Sequence, residues 1–252
     1  MLPYLNAPAI RLGGIGFDPS GILAGAGVLI GHFAFLRNAQ SFGFDRGKAS
    51  RLSFFLMIGG LAGALLFSIW TNVRPIASLA DWNTRPPAIS SLGAISGATL
   101  VAIGWSLWNR LSLVDSMRWL DAAALAFPVA WLLLRAGCIL QHDHSGIRSD
   151  GWLAVPYPDW PRYDLAFLEF LFLIPVVIGF ELFRRRPLPA GTFAILLLVL
   201  YGGLRLLIEP LRVDPVRYWG VSVDQWTVAV FAGLGISVMS RMKIHPKGRG
   251  VE

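Results

Sequence analysis

The stretch Tyr201-Gly202-Gly203-Leu204-Arg205-Leu206-Leu207-Ile208-Glu209-Pro210-Leu211-Arg212 ends an apolar segment with three charges. Arg205 and Glu209 are four apart and Arg212 is three further on, so a continuing helix would carry all three on one face. Pro210 has no amide proton to donate and ends or kinks that helix, which leaves the direction of Arg212 open. Charges at bilayer depth are costly, so they pair, face a cavity and serve a function. A second arginine, Arg135, follows the uncharged run Ala122 to Leu134 and opens Arg135-Ala136-Gly137-Cys138-Ile139-Leu140-Gln141-His142-Asp143-His144-Ser145-Gly146. A guanidinium presents a planar fork of donors that matches a phosphate, so Arg135 with Arg205 has the chemistry of a phospholipid headgroup site. The bland alternative is that Arg135 snorkels to the interface. The apolar residues and dense titratable cluster that follow it weigh against that.

His142-Asp143-His144 reads three ways. Histidine titrates near neutrality and can take a proton from a thiol or hydroxyl, with the carboxylate as its orienter. The second reading is a solvated loop. The third is a metal site, ranked last because two histidines at i, i+2 supply only part of one and spacing reveals no third ligand. Cys138 reads as a small buried residue rather than a nucleophile. Glu169 sits early in an apolar run, where a partner arginine is the simplest account of its tolerance. Gln225, beside Asp224, has the position of a polar residue at a helix start.

The elements that must hold these residues follow from composition. The chain is 55% hydrophobic and only 15% charged, with a formal net charge of +7 and one cysteine. That balance excludes an ordinary soluble domain and implies an all-α, multi-pass membrane protein. The basic residues flank apolar runs, so anionic lipid rather than nucleic acid is the expected partner. A single cysteine rules out an internal disulfide and a cysteine-based zinc cluster.

Apolar runs long enough to cross a bilayer as helix occur at about 18–36, 52–72, 87–108, 120–140, 164–182, 188–208 and 224–240. Together they form one expected domain, 1–252, of seven spans. Arg37, Arg46, Lys48, Arg51, Arg110, Arg118, the triplet Arg184 to Arg186 and the basic C-terminal residues fall in one set of loops, which the positive-inside rule places in the cytoplasm. The N-terminus is then outside and the C-terminus cytoplasmic. No removable signal peptide is evident in the first residues. The longest loop, 141–163, lies on the outer side, where Trp152 and Trp160 suit the headgroup level. Gly59-xxx-Gly63 and Gly93-xxx-Gly97 are spaced for close helix approach.

Taken together, these residues resemble the prolipoprotein diacylglyceryl transferase family, over roughly 50–240. The family's aspartate before the fourth span corresponds to Asp121. Its Arg-x-Gly-Asn-Phe-x-Asn-Gly-Glu-x-x-Gly signature is similar to Arg135-x-Gly137-Cys138 through Gly146, with Gln141-His142-Asp143 in place of Asn-Gly-Glu. The closing glutamate of its His-Pro-Ser-Gln-Leu-Tyr-Glu block is Glu169. Its Tyr-Gly-x-x-Arg-x-x-x-Glu-x-x-Arg block is matched at Tyr201, Gly202, Arg205, Glu209 and Arg212, and its last-helix Gly-Gln by Asp224-Gln225. The family histidine of His-Gly-Gly-Leu-Ile-Gly is Leu92 here, and the arginine of Gly-Gly-Arg-Ile-Gly is Leu61.

The resemblance implies a bacterial inner-membrane enzyme that moves a diacylglyceryl group from phosphatidylglycerol to the cysteine thiol of a preprolipoprotein, without metal or cofactor. It carries a substrate-binding role to Arg135, Gly137, Gly146, Glu169, Tyr201, Arg205, Glu209, Arg212 and Gln225. Arg135 and Arg205 are expected to stabilise the phosphate leaving group. His142 or His144, held by Asp143, is expected to replace the missing histidine as base. Two other readings stay open. One is the same fold acting from another anionic phospholipid or on another acceptor, such as a lipid, a small thiol or water. The other is a non-catalytic lipid-binding or lipid-translocating protein.

Overall fold

The computed structural model describes residues 1–5, 7, 10–12, 15–71, 91–213, 217–222, 225, 226, 228, 229 and 233. They divide into two compact units, 39–116 and 1–38 with 117–252. Among the described residues, five helices are long and apolar enough to cross a membrane, and a shorter apolar helix covers Gly93–Trp108. Of the expected last span, 224–240, only 225, 226, 228, 229 and 233 are described, each helical. The remainder lies outside the described residues.

The smaller unit is built on α2 (Arg46–Thr71) and α3 (Ser91–Trp108). Residues 87–90, where α3 was expected to begin, also lie outside the described residues. The two helices approach so closely that a Cβ at Gly63 would run into the Gly93 carbonyl oxygen, and one at Gly97 into that of Gly59. Backbone contact of this kind is the packing that small residues permit in lipid, where no hydrophobic force drives helices together.

The larger unit begins with the short antiparallel pair β1 (Ile10–Leu12) and β2 (Ile15–Phe17), followed by α1 (Pro19–Ser41). Its centre is α4 (Leu113–Gln141), α5 (Leu165–Phe183) and α6 (Thr192–Ile208). Both α2 and α4 start earlier than expected, because a hydropathy pattern stops at the first charges whereas the helix continues through them. α4 and α5 hold internal Pro128 and Pro175.

Between α4 and α5 the expected loop is instead a three-stranded antiparallel sheet, β3 (Ser145–Arg148), β4 (Ala154–Pro156) and β5 (Pro161–Asp164), in the order β3-β5-β4. Strands of three or four residues are too short to leave an alternation in the sequence. The N-terminal arm joins this sheet through Leu2 N–H donating to Ala154 O at 2.8 Å.

Two aspartates set the helix starts. Asp164 caps α5, its Oδ1 accepting from Phe167 N at 3.1 Å. α6 starts at Gly191, with φ of 89° and no side chain to cap it. Asp121 on α4 does so from outside, accepting from Gly191 N at 2.6 Å and Ala194 N at 2.9 Å. One carboxylate thereby satisfies two of the amides that a helix start leaves open and fixes α6 to α4. Beyond α6, Glu209–Leu211 form a 3-10 turn containing Pro210, followed by β6 (Arg217–Tyr218) and β7 (Val221–Ser222).

Candidate active site

At the centre of the larger unit is Glu169, wholly buried one turn into α5. Its Oε2 accepts from Arg135 Nε of α4 at 2.7 Å and its Oε1 from Arg205 Nη1 of α6 at 2.6 Å. Trp131 Nε1–H and Tyr201 O–H also donate to Oε2, at 3.2 and 3.1 Å. Three helices therefore converge on one carboxylate. Two guanidinium groups brought to one carboxylate are planar donor forks of the kind that suits a phosphate. The expectation of a partner arginine for Glu169 is met twice over.

Because Glu169 takes Arg135 through Nε, the terminal end of that guanidinium points elsewhere. Its Nη1 lies 3.2 Å from His144 Nε2 and 3.9 Å from Cys138 Sγ. On the other side of the ring, His144 Nδ1 meets Asp143 Oδ1 at 2.5 Å. A continuous row results: Asp143, His144, Arg135, Glu169, Arg205. Burial works against charge on the His144 ring, but its hydrogen bonds to Asp143 and Cys138 outweigh that and raise its pKa to about 9.

His142 is turned away from this row. It follows the last turn of α4 in a left-handed conformation, φ 53°, which histidine adopts more readily than most residues. Its Nδ1 lies 3.2 Å from Asp164 Oδ2, its Nε2 lies 2.9 Å from Leu5 O, and its ring stacks on Tyr4 at 3.9 Å. Tyr157 O–H also donates to Asp164, at 3.0 Å. With an oxygen facing each ring nitrogen, His142 pins the N-terminal arm to the sheet. His142 and His144, the two residues expected as alternatives for the base, therefore have different neighbours; side chains around a chain reversal diverge.

The other expected substrate-binding residues have the following surroundings. A Cβ at Gly137 would lie 2.8 Å from Ser20 O, and one at Gly146 would lie 2.6 Å from Leu211 O. Both glycines admit neighbouring backbone, and Gly146 pairs with Arg212 as an isolated antiparallel bridge. Gln225 Oε1 accepts from Ser222 N at 3.0 Å, and Ser222 Oγ from Gln225 N at 3.2 Å; this reciprocal pair starts a helix. Glu209 opens the 3-10 turn beyond α6. Its carboxylate is buried 3.9 Å from Arg212 Nη1, with no hydrogen bond to either oxygen among the described residues. The break at Pro210 carries Arg212 off the helical face of Arg205.

Trp131 was missed altogether, although its i, i+4 spacing from Arg135 was readable. So was Cys138 as the companion of His144. Cys138, Asp143 and His144 bring S, O and N atoms within 4.8 Å of one another, the third ligand type that spacing did not reveal. The Arg135 guanidinium lies against the sulfur and ring nitrogen of that group, and its positive charge opposes a metal cation there.

A multi-pass helical membrane protein with paired arginines locked on a buried carboxylate defines the class. The profile of the family described as prolipoprotein diacylglyceryl transferase matches residues 8–241, and the chain belongs to that family. The match extends nearer the N-terminus than the motifs alone suggested. The chain is similar to a phosphatidylglycerol–prolipoprotein diacylglyceryl transferase of Symbiobacterium thermophilum, 25% identical over 99% of this chain and 97% of that one. It is also similar to the protein of that description from Parasynechococcus marenigrum, 31% identical over 77% of this chain and 76% of the relative. A third, from Thermotoga petrophila, is 26% identical over 96% and 87%.

Proposed function

We propose that this chain transfers the diacylglyceryl group of phosphatidylglycerol to the cysteine thiol of a prolipoprotein. The observation that carries the reading is the pair Arg135 and Arg205, delivered by two helices onto opposite oxygens of Glu169. In the transfer, the acceptor sulfur attacks the glyceryl carbon bonded to phosphate. A carbon–sulfur bond forms, the carbon–oxygen bond breaks, and glycerol phosphate leaves with the electron pair. Negative charge grows on the departing phosphate, where two preorganised guanidinium groups act most strongly in a site shielded from water.

The acceptor thiol must lose its proton. His144, backed by Asp143, is the base in this reading, in place of the family histidine that is Leu92 here. A thiol ordinarily titrates near 8.5, so an imidazole at about 9 exchanges a proton with it at little cost. Arg135 lies between His144 and Glu169, which supports a reading in which the proton is removed beside the phosphate.

The same reading includes seven spans in the cytoplasmic membrane of a bacterium, with the N-terminus outside and the β3–β5 sheet on the outer side. Basic residues of the opposite loops support that orientation. The test is incubation of purified protein with labelled phosphatidylglycerol and a peptide carrying the acceptor cysteine, read by mass spectrometry. A diacylglyceryl thioether with release of glycerol phosphate is expected. Lipid bound without any adduct would instead identify a lipid-binding protein.

A further inference from the structure

Trp131 belongs to none of the motifs shared with the family, yet it touches both sides of the arginine–carboxylate centre. Its indole N–H donates to Glu169 Oε2 at 3.2 Å, and its ring centroid lies 4.9 Å from Arg135 Cζ. The ring is itself held, stacked on Phe127 at 5.1 Å and edge-on to Tyr201 at 6.3 Å. Trp131 and Arg135 share one face of α4, a turn apart.

The need for such a residue follows from how Glu169 is divided. An arginine gripped by both oxygens of a carboxylate is fixed in plane and in tilt. Here Oε1 is taken by Arg205, so Arg135 is bonded through Nε to Oε2 alone. Glu169 thus fixes Arg135 at one point, and the other contacts of the guanidinium, from Nη1 to His144 and Cys138, lie at the edge a phosphate would approach. The indole face supplies the missing restraint, because a cation and an aromatic quadrupole attract most when the planar cation lies over the ring. It also covers one face of the guanidinium, so an anion must meet Arg135 along the edge that carries Nη1, beside His144 and Cys138.

We propose that Trp131 is a positioning residue of the transfer, holding the Arg135 guanidinium in the plane that presents its Nη1 edge to the phosphate; this rests on the transferase reading above. Trp131→Phe keeps an aromatic face beneath the cation and loses the N–H. Trp131→Leu loses both.

The experiment measures kcat, KM for phosphatidylglycerol in mixed micelles, and melting temperature for the three proteins. The Leu variant is expected to lose roughly 10- to 100-fold in kcat, the scale of a small misplacement of a reacting group. Its KM should stay near the wild-type value, and Phe should restore most of the rate. Wild-type kcat in the Leu variant would overturn the proposal, as would equal losses in both variants that follow their loss of folded protein.

A second arm does not need turnover. The difference in fluorescence between wild type and Trp131→Phe isolates this indole, and it should change when phosphatidylglycerol, but not phosphatidylcholine, is added. No such change would overturn the proposal. Absence of thioether from the wild type with this lipid response intact would overturn the transferase reading instead.

Discussion

Arg135 of α4 reaches Glu169 of α5 through Nε, 2.7 Å from Oε2, and both side chains are almost fully buried. The bond uses the inner nitrogen of the guanidinium, which turns its outer end toward His144. In Glu169→Gln the two arginines lose their shared counter-charge. Breaking a buried ion pair costs about 3–5 kcal/mol, so a marked fall in melting temperature and loss of turnover are expected together. A Glu169→Gln protein with wild-type melting and wild-type rate would contradict the central role given to this carboxylate.

Arg205→Lys keeps the charge and removes the fork. A lysine ammonium is a point donor, so it can hold Glu169 or reach a phosphate but not do both in the arginine geometry. Turnover should drop by roughly 100-fold, the usual cost of removing one preorganised donor from a developing anion. Protein yield and helical content, followed by circular dichroism, should change little. A rate within about twofold of wild type would remove Arg205 from the phosphate site.

His142 and His144 are two residues apart and have different fates. His144→Ala should abolish thioether formation, whereas His142→Ala should retain it and loosen the N-terminal arm, seen as faster amide exchange at residues 2–5. The pKa of His144 is raised to about 9, so the neutral, proton-accepting ring is the minor form at pH 7. The rate should therefore rise with pH toward 9. In Asp143→Asn the imidazolium loses its partner, and the rise should move to lower pH. An unshifted profile in that variant would assign the ionisation to another group, such as the acceptor thiol. Full turnover in a His142→Ala, His144→Ala double variant would end the proposal of a histidine base.

Asp121 caps α6 from α4 rather than from its own helix. Asp121→Ala leaves two amides at the start of α6 without an acceptor and should cost about 1–2 kcal/mol. Asp121→Asn, which keeps one acceptor oxygen, should recover part of that loss. Thermal unfolding in detergent distinguishes the two. Equal stability of wild type and Asp121→Ala would mean that water replaces the cap.

Gly63→Leu places a side chain against the Gly93 carbonyl and the Gly97 backbone. α2 and α3 must then separate, at a cost of about 1–3 kcal/mol. A cysteine pair designed across α2 and α3 should crosslink more slowly in this variant. Unchanged crosslinking would show that these helices are held by other contacts.

The sequence by itself determined the kind of molecule. Composition and span length required membrane helices, because an apolar chain in lipid has no other way to satisfy its backbone. Motif spacing pointed to Arg135, Glu169 and Arg205, since charges deep in apolar runs are too costly to be incidental. Only the tertiary structure decided which charge meets which. Spacing along one helix joined Arg205 with Glu209, whereas packing of three helices joins both arginines with Glu169, about thirty-five residues away from each. The same limit hid Trp131 as a donor to Glu169, Asp121 as a cap for α6, and Asp164 as the partner of His142. Local patterns report the face on which a side chain emerges. The elements packed against that face decide the atom it touches.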